Sequence, residues 1–164
     1  MRNSLRIMGI LIITVMLSVS LTSCEGKDKE GTKAISGNAV EKGMVTEWEG
    51  LTSEVMKLYS SGDYTQGVEV AKRALQVAQQ NDGPDHPNVA LSLGNLAELY
   101  EAQKEYAKAE QLYKQSLEIL EKAFGQDDPY LVPTLLNMAS LYNNIGRENE
   151  AQRMMERANS IQAK

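Results

Sequence analysis

The chain has 164 residues, enough for one domain and too few for two of ordinary size. Hydrophobic residues make up 42% and charged residues 24%, which is too apolar for a wholly disordered chain and too polar for a protein that crosses a membrane several times. The net charge of −5 argues against nucleic-acid binding, which depends on phosphate neutralisation, and one Cys with one His exclude an internal disulfide and the familiar zinc frameworks.

The first 23 residues are laid out like a secretory signal peptide. Arg2 and Arg6 give a basic start, and residues 7–21 follow without a charge. An uncharged stretch of this length is too short to cross a bilayer comfortably, because a spanning helix needs about 20 residues. A basic start, an apolar centre and small residues at the end therefore predict an export signal over residues 1–23.

The export signal ends in Leu21-Thr22-Ser23-Cys24, which resembles the lipobox of bacterial lipoproteins. The resemblance implies that Leu21, Thr22 and Ser23 are recognition residues, and that Cys24 is acylated and becomes the first residue after cleavage. An ordinary signal peptide or an uncleaved anchor, with an incidental Cys, is the alternative. Glu25 stands where an Asp would favour inner-membrane retention. The expected location is therefore the cell envelope, with the outer membrane facing the periplasm favoured in a Gram-negative cell.

Residues 24–46 show no lasting apolar period and are predicted to form a flexible tether that starts at the lipidated Cys. Charges are frequent in this segment. Glycines recur throughout it, at Gly26, Gly31, Gly37 and Gly43.

From Trp48 onward the sequence repeats itself every 42 residues without a gap. Leu51, Leu93 and Leu135 fall in register, and the segment GPDHP at 83–87 falls on GQDDP at 125–129. A period between 20 and 50 residues predicts a solenoid or a related array. We expect a repeat domain over residues 47–164, with repeats at about 48–89, 90–131 and 132–164.

Each repeat contains two amphipathic helical patterns separated by a short turn. In the second repeat Leu93, Leu96, Ala97 and Tyr100 follow the spacing of one apolar helix face. Asp-His or Asp-Asp before Pro marks a helix start, because a polar side chain can accept from free backbone N–H groups and Pro has none to lose. Ala109 and Tyr113 belong to the second apolar face of this repeat, and the third repeat has Met138, Ala139, Tyr142, Gly146, Ala151, Met155 and Ala158 at the corresponding positions of the pattern, with Met138 and Met155 expected in the core.

This pattern resembles the tetratricopeptide repeat in its long, 42-residue form, which is similar to the repeats of kinesin light chains. The resemblance implies an all-α fold, a right-handed α-solenoid of about three helix-turn-helix units. The first repeat departs from the pattern, because Gly67 replaces the small Ala and Glu54 occupies an apolar position. We read it as a weaker terminal repeat.

The resemblance also implies a concave groove, lined by the first helix of each repeat, that binds an extended peptide. A side-chain amide can donate to a peptide C=O and accept from a peptide N–H at once. The acidic groove residues Glu98 and Glu101 favour a ligand that bears Lys or Arg. Solvated amides without a binding role are the alternative. The candidate groove residues are Asn95, Glu98, Asn137, Asn143 and Asn144.

No set of residues points to catalysis, a metal or a cofactor. His86 is the only imidazole and stands where the next repeat has Asp128, so it is interpreted as a helix cap. The sequence therefore predicts no enzyme, but a membrane-anchored scaffold or assembly factor that binds an unidentified protein segment. Self-association through the C-terminal helix is the alternative function. A peptidoglycan-acting enzyme is a third, without supporting residues.

Overall fold

The computed structural model describes residues 38–163, so the predicted lipobox residues Leu21 to Cys24 lie outside the described residues. Six α-helices and one 3-10 turn make up this range, and no strand occurs in it. The predicted all-α fold is confirmed. The helices are α1 (Asn38–Ser61), α2 (Tyr64–Asp82), α3 (Pro87–Ala102), α4 (Tyr106–Phe124), α5 (Val132–Asn144) and α6 (Glu148–Gln162), and the 3-10 turn is Pro129–Leu131.

The helices form three pairs, α1 with α2, α3 with α4 and α5 with α6, which correspond to the three sequence repeats. Each helix packs against the next one along the chain. The first helices of consecutive repeats also touch, α1 with α3 and α3 with α5, whereas the described second helices make no comparable contact with one another. The first helices therefore lie on the inner side of the curved stack, and we call the face that they form the groove.

Polar side chains fix the helix starts, as the sequence predicts. The backbone N–H of Asn88 donates to Nδ1 of His86 at 3.2 Å, and that of Tyr130 donates to Oδ1 of Asp128 at 2.9 Å. His86 is therefore a cap at the start of α3. Asp128 begins the 3-10 turn, and the regular helix α5 follows only from Val132.

Helix α1 begins nine residues earlier than the predicted domain boundary at residue 47. It starts at Asn38, within the segment 24–46 that was predicted to form the tether. Once a helix is nucleated, each further residue adds a hydrogen bond at little cost, so α1 extends backward from the part that packs against α3. Trp48 anchors that packed part, because its Nε1 donates to the buried Oγ of Ser92 at 2.9 Å.

The core lies between the paired helices and between repeats. Leu93, Leu96 and Leu135 are buried at the predicted positions. Ala97 and Ala109 are fully buried together with Tyr113, which places small residues where α3 and α4 approach. No helix within residues 38–163 is long and apolar enough to cross a membrane.

Candidate peptide-binding groove

Helices α3 and α5 carry the predicted groove residues. On α3, Asn95, Glu98 and Glu101 follow one another at intervals of three, so they share one side of the helix. On α5, Asn137 and Asn144 lie two turns apart, and their amides reach back to α3. The structure therefore brings most of the candidate residues to one face at the junction of repeats 2 and 3.

Two carboxylate–amide contacts join α3 to α5 across this junction. Nδ2 of Asn137 donates to Oε1 of Glu98 at 2.7 Å. Nδ2 of Asn144 donates to Oε1 of Glu101, also at 2.7 Å. The Tyr113 hydroxyl of α4 donates to the other oxygen of Glu101 at 3.2 Å.

Loss of hydration changes the pKa values of Glu98 and of the neighbouring Tyr113. Loss of hydration raises the pKa of Glu98 to about 7, the hydrogen bond from Asn137 opposes this rise, and the nearby charge of Glu101 adds to it. Burial also raises the pKa of Tyr113 well above its usual value, so its hydroxyl remains a donor at neutral pH. No Lys or Arg side chain within residues 38–163 forms an ion pair with Glu98.

The predicted groove amides thus fall into two groups. Asn137 and Asn144 already donate to carboxylates of the preceding repeat. Asn95 is half-buried, and its side chain makes no hydrogen bond to another residue of the range 38–163. Asn143 is exposed near the end of α5. Asn95 is therefore the amide best placed to bind a ligand, whereas Asn137 and Asn144 hold the two carboxylates.

This pairing was not predicted from the sequence, although the repeat contains a signal for it. Glu98 and Asn137 are 39 residues apart, which is one period of 42 less one step of three along a helix. Residues with this offset lie opposite each other on the first helices of neighbouring repeats. The same calculation does not apply to Glu101 and Asn144, which are 43 apart and pair because the amide of Asn144 lies at the end of α5.

A second polar cluster, also missed, fixes repeat 3 on repeat 2. Glu110 of α4 accepts from Nη1 of Arg147 at 2.9 Å and from the Tyr142 hydroxyl at 3.1 Å. Arg157 of α6 pairs with Glu121 at 2.6 Å. These contacts support the orientation of α5, and with it the position of Asn137 opposite Glu98.

The last helix presents a different outer face from the other second helices. Tyr113 and Leu120 are buried on α4, but the residues one period later on α6 are Met155 and Gln162, and both are exposed. Met155, predicted to be a core residue, is 40% exposed, because no described helix packs over this face of α6 as α5 packs on α4. Leu136 on α5 is 42% exposed. The other large hydrophobic side chains exposed within the described residues are Phe124 and Tyr130, whose rings stack on each other.

No group of three His, Cys, Asp or Glu side chains within residues 38–163 is arranged to hold a metal ion.

Comparison with known proteins gives a consistent assignment. A family profile for the tetratricopeptide repeat matches residues 58–122 and 103–164. BtubC (BKLC) from P. vanneervenii has a TM-score of 0.61 at 24% identity over 65% of this chain and 42% of its own. A kinesin-light-chain-like protein of Podosopora anserina with nearly identical TPR-like repeats has a TM-score of 0.64 at 22% identity, over 76% of this chain and 57% of its own. The chain thus spans about half of each relative, and no curated protein matches it.

Proposed function

Because the chain belongs to the tetratricopeptide repeat family, we propose that it is a lipid-anchored scaffold that binds an extended segment of a partner protein in its groove at the cell envelope. Proteins built from such repeats are in general scaffolds for other proteins. The proposal has two parts, the groove as binding surface and Cys24 as membrane anchor. Each part is supported by different residues.

The observation that carries the binding part is the state of Asn95. Its amide is half-buried on α3, one turn before Glu98, and makes no hydrogen bond within the described part of the chain. A peptide backbone offers both the donor and the acceptor that an amide needs. A bound segment would therefore meet a side-chain amide that the fold has not already engaged.

The charge of the groove favours a partner segment with Lys or Arg. Glu98 and Glu101 lie on the same side of α3 as Asn95, and Glu98 has no cationic partner among residues 38–163. A Lys or Arg of the ligand would supply the missing counter-charge. Binding of such a segment is expected to weaken as salt is added, because screening reduces attraction between opposite charges.

The membrane part rests on the lipobox. Cys24 is the only thiol of the chain and follows directly after Leu21-Thr22-Ser23. Two or three acyl chains hold a protein on a membrane stably, whereas a single chain binds reversibly. A protein anchored in this way would meet partner segments that are exposed in the envelope.

Site-specific cross-linking in the native cells tests the binding part. A photo-reactive amino acid is placed at Ser140, on the groove side of α5, and at the exposed Gln115 of α4 as the matched control. We expect a polypeptide adduct at Ser140 and none at Gln115, and we expect Asn95→Ala to reduce the Ser140 adduct. Adducts at Gln115 only would refute binding in the groove. An adduct at Ser140 whose yield is unchanged by Asn95→Ala would also refute it.

A further inference from the structure

We propose that the stacked rings of Phe124 and Tyr130, which we call the aromatic pair, form a lipid-contacting site that docks one edge of the repeat domain on the bilayer. The site would take the interfacial layer of a bilayer of zwitterionic lipids. This inference rests on the anchor part of the proposed function, because only a tethered domain stays close enough to a membrane for a contact of this size. The groove plays no part in it.

The aromatic pair is a continuous apolar surface that faces water. Phe124 ends α4, and Tyr130 lies in the 3-10 turn that follows. Their ring centroids are 4.6 Å apart and their planes differ by 26°, so the two rings stack. Phe124 nevertheless remains 38% exposed and Tyr130 53% exposed, and Pro129 beside them is exposed as well. The outer ring faces are therefore available to a second apolar phase.

The preceding repeat shows that the fold does not need aromatic rings at these positions. Asp82 and Asn88 stand one period before Phe124 and Tyr130. There Nδ2 of Asn88 donates to Oδ2 of Asp82 at 2.9 Å, so a polar pair joins the end of one helix to the start of the next. The aromatic pair makes the same connection and adds exposed apolar surface. Clustered apolar side chains on a surface are typical of sites that contact a partner or a membrane.

The path of the chain places the aromatic pair at the edge where the chain enters α1. Consecutive helices are joined by short turns and pack against each other, so α1, α3 and α5 run in one direction, and α2 and α4 run in the other. The starts of the first helices and the ends of α2 and α4 therefore lie at one edge. Phe124 and Tyr130 belong to that edge, since they connect the end of α4 to the start of α5.

Helix α1 projects beyond this edge. Trp48 of α1 is level with Ser92 of α3, because their side chains are joined by a hydrogen bond of 2.9 Å. Helix α1 begins at Asn38, ten residues before Trp48. Helix α3 begins at Pro87, five residues before Ser92. At 1.5 Å per residue, the start of α1 lies about 7 Å past the start of α3. The edge that bears the aromatic pair is thus the one next to the anchored end of the chain.

The proposed anchor would keep this edge near a membrane. Cys24 lies 14 residues before Asn38, and a chain of that length spans at most about 50 Å in any conformation. A tether raises the local concentration of the domain at the surface, so a weak contact can form. Removing about 60 Å² of ring surface from water shifts such an equilibrium about tenfold toward contact. Tyr is also enriched at membrane–water interfaces, where its ring meets the apolar layer and its hydroxyl stays hydrated.

The charges beside the aromatic pair determine which bilayer it fits. Asp127 and Asp128 lie between the two rings in the sequence, and Asp128 accepts from the backbone N–H of Tyr130 at 2.9 Å. Lys122, two residues before Phe124, pairs with a carboxylate at 3.7 Å. Because these surroundings are acidic, a surface of anionic lipids would repel them. The contact should be strongest with zwitterionic lipids, and added anionic lipid should weaken it at low salt.

Fluorine NMR can observe this contact directly, because Phe124 is the only Phe of the chain. The full chain, carrying fluorinated phenylalanine, is coupled through its single thiol at Cys24 to a maleimide lipid in phosphatidylcholine nanodiscs. We expect spin-labelled lipid to broaden the Phe124 signal. Tyr106→Phe supplies the matched control, since it places a second fluorine at the other end of α4, about 27 Å away. The signal at position 106 should not be broadened.

Two substitutions assign the contact to the aromatic pair. Tyr130→Asn introduces the residue that the preceding repeat carries at this position, so the fold should be kept. It should reduce the population in contact with lipid about tenfold, because part of the apolar surface is lost. Leu136→Asn removes another exposed apolar side chain and should leave the Phe124 signal unchanged.

Each other outcome overturns the site. Equal broadening at positions 124 and 106, or none at 124, would exclude lipid contact and leave the aromatic pair to a protein partner. Broadening that is unchanged in Tyr130→Asn would assign the contact to other residues, and broadening that increases with anionic lipid would contradict the charge argument. If Tyr130→Asn does not fold, the Tyr106→Phe chain still decides whether this edge meets lipid. Chemical coupling at Cys24 does not depend on acylation in cells, so failure of this contact and failure of the proposed anchor are distinguishable.

Discussion

Gly67 of α2 packs directly against the side chain of Leu99 on α3. A Cβ atom built on Gly67 would stand 2.7 Å from Cδ2 of Leu99 and 3.5 Å from its Cδ1. Leu99 is fully buried, so its methyl groups have little room to move away. The glycine that makes the first repeat depart from the tetratricopeptide pattern therefore has a packing role, and it lets the second repeat sit closely on the first.

Substituting two helical glycines with Ala separates this packing role from helix propensity. Gly50 lies in α1, and a Cβ atom added to it would meet no other atom within 4 Å, so Gly50→Ala should stabilise the protein by about 0.5–1 kcal/mol. Gly67→Ala gains the same propensity but crowds Leu99. We expect it to be at least about 1 kcal/mol less favourable than Gly50→Ala. Urea unfolding measures both, and equal stabilisation by the two substitutions would contradict the close contact.

Much of the fold could be predicted from the sequence, because each of its signals is local or repeats at a fixed distance. The 42-residue period gave the order of the helices, and His86 and Asp128 marked helix starts through contacts within two residues. The early start of α1 at Asn38 has no such signal, since it depends on propagation from the packed region. The exposure of Met155 depends on which helices pack against α6, and its own position in the pattern does not contain that information.

The groove could be predicted in part only. Its residues were identified by their positions on the first helices, and the structure places Asn95, Glu98, Asn137 and Asn144 on α3 and α5 as expected. Which of these side chains bind each other depends on the distance between α3 and α5, and a sequence pattern does not contain that distance. The pKa of Glu98 likewise depends on how much water the junction excludes.

Lys104 provides a test of the turn between α3 and α4. Its φ is +64°, and the equivalent residues of the other two repeats are Gly62 and Gly146, both with positive φ. A non-glycine residue in this conformation costs about 1–2 kcal/mol. Glycine avoids that cost, but its greater conformational freedom in the unfolded chain offsets part of the gain. We expect Lys104→Gly to stabilise by about 0.5–1 kcal/mol. Lys104→Ala is the control that removes the charge and keeps the strain, and its stability in thermal unfolding should not rise.

Glu98→Gln should change how stability depends on pH. Glu98 holds its proton to about pH 7 in the folded chain but loses it near 4.5 in the unfolded chain. Between these values the folded state binds the extra proton, so this residue lowers the free energy of unfolding as pH rises from 4.5 to 7. Above pH 7, Glu98→Gln should be about 1–2 kcal/mol more stable than wild type, after allowance for partial exposure of the side chain. The difference should disappear near pH 4.5.

Comparing the free energies of unfolding of wild type and Glu98→Gln at each pH cancels the contributions of the other carboxylates. Hydrogen bonds from Lys114 and Arg147 lower the pKa of Glu110, and Arg147 lowers that of Glu150, so both stabilise the fold as pH rises and do so equally in wild type and variant. Chemical denaturation at pH 4.5, 6 and 8 gives the three differences. A constant difference across this range would show that Glu98 has an ordinary pKa.

The lipid anchor is tested at Cys24. Since this is the only thiol in the chain and ends the lipobox, Cys24→Ser should abolish incorporation of a fatty-acid analogue and block normal processing. Labelled cells and mass analysis of the purified protein provide the measurement. Ser23→Ala keeps the thiol and a small residue before it, so it should remain labelled. Persistent label on Cys24→Ser would contradict the anchor while leaving the groove proposal intact.

The two groove asparagines that lie one period apart should respond differently to substitution. Asn95 has no hydrogen-bond partner within residues 38–163, so Asn95→Ala should leave the free energy of unfolding within about 0.5 kcal/mol of wild type. If Asn95 binds the ligand backbone, the loss of one or two hydrogen bonds weakens affinity by about 3- to 100-fold. Asn137→Ala instead removes the donor to Glu98 and should destabilise the protein by about 1–2 kcal/mol.

Titration of the cross-linked partner's segment against both variants, with unfolding curves on the same samples, separates the two roles. Loss of affinity at constant stability in Asn95→Ala, and loss of stability in Asn137→Ala, is the expected pattern. Raising the salt concentration should weaken wild-type binding, because the ligand cation that Glu98 would pair with is then screened. Unaltered affinity in Asn95→Ala with an intact fold would move the binding surface away from the groove. The exposed apolar side chains Leu136 on α5 and Met155 on α6 would then be the next residues to substitute.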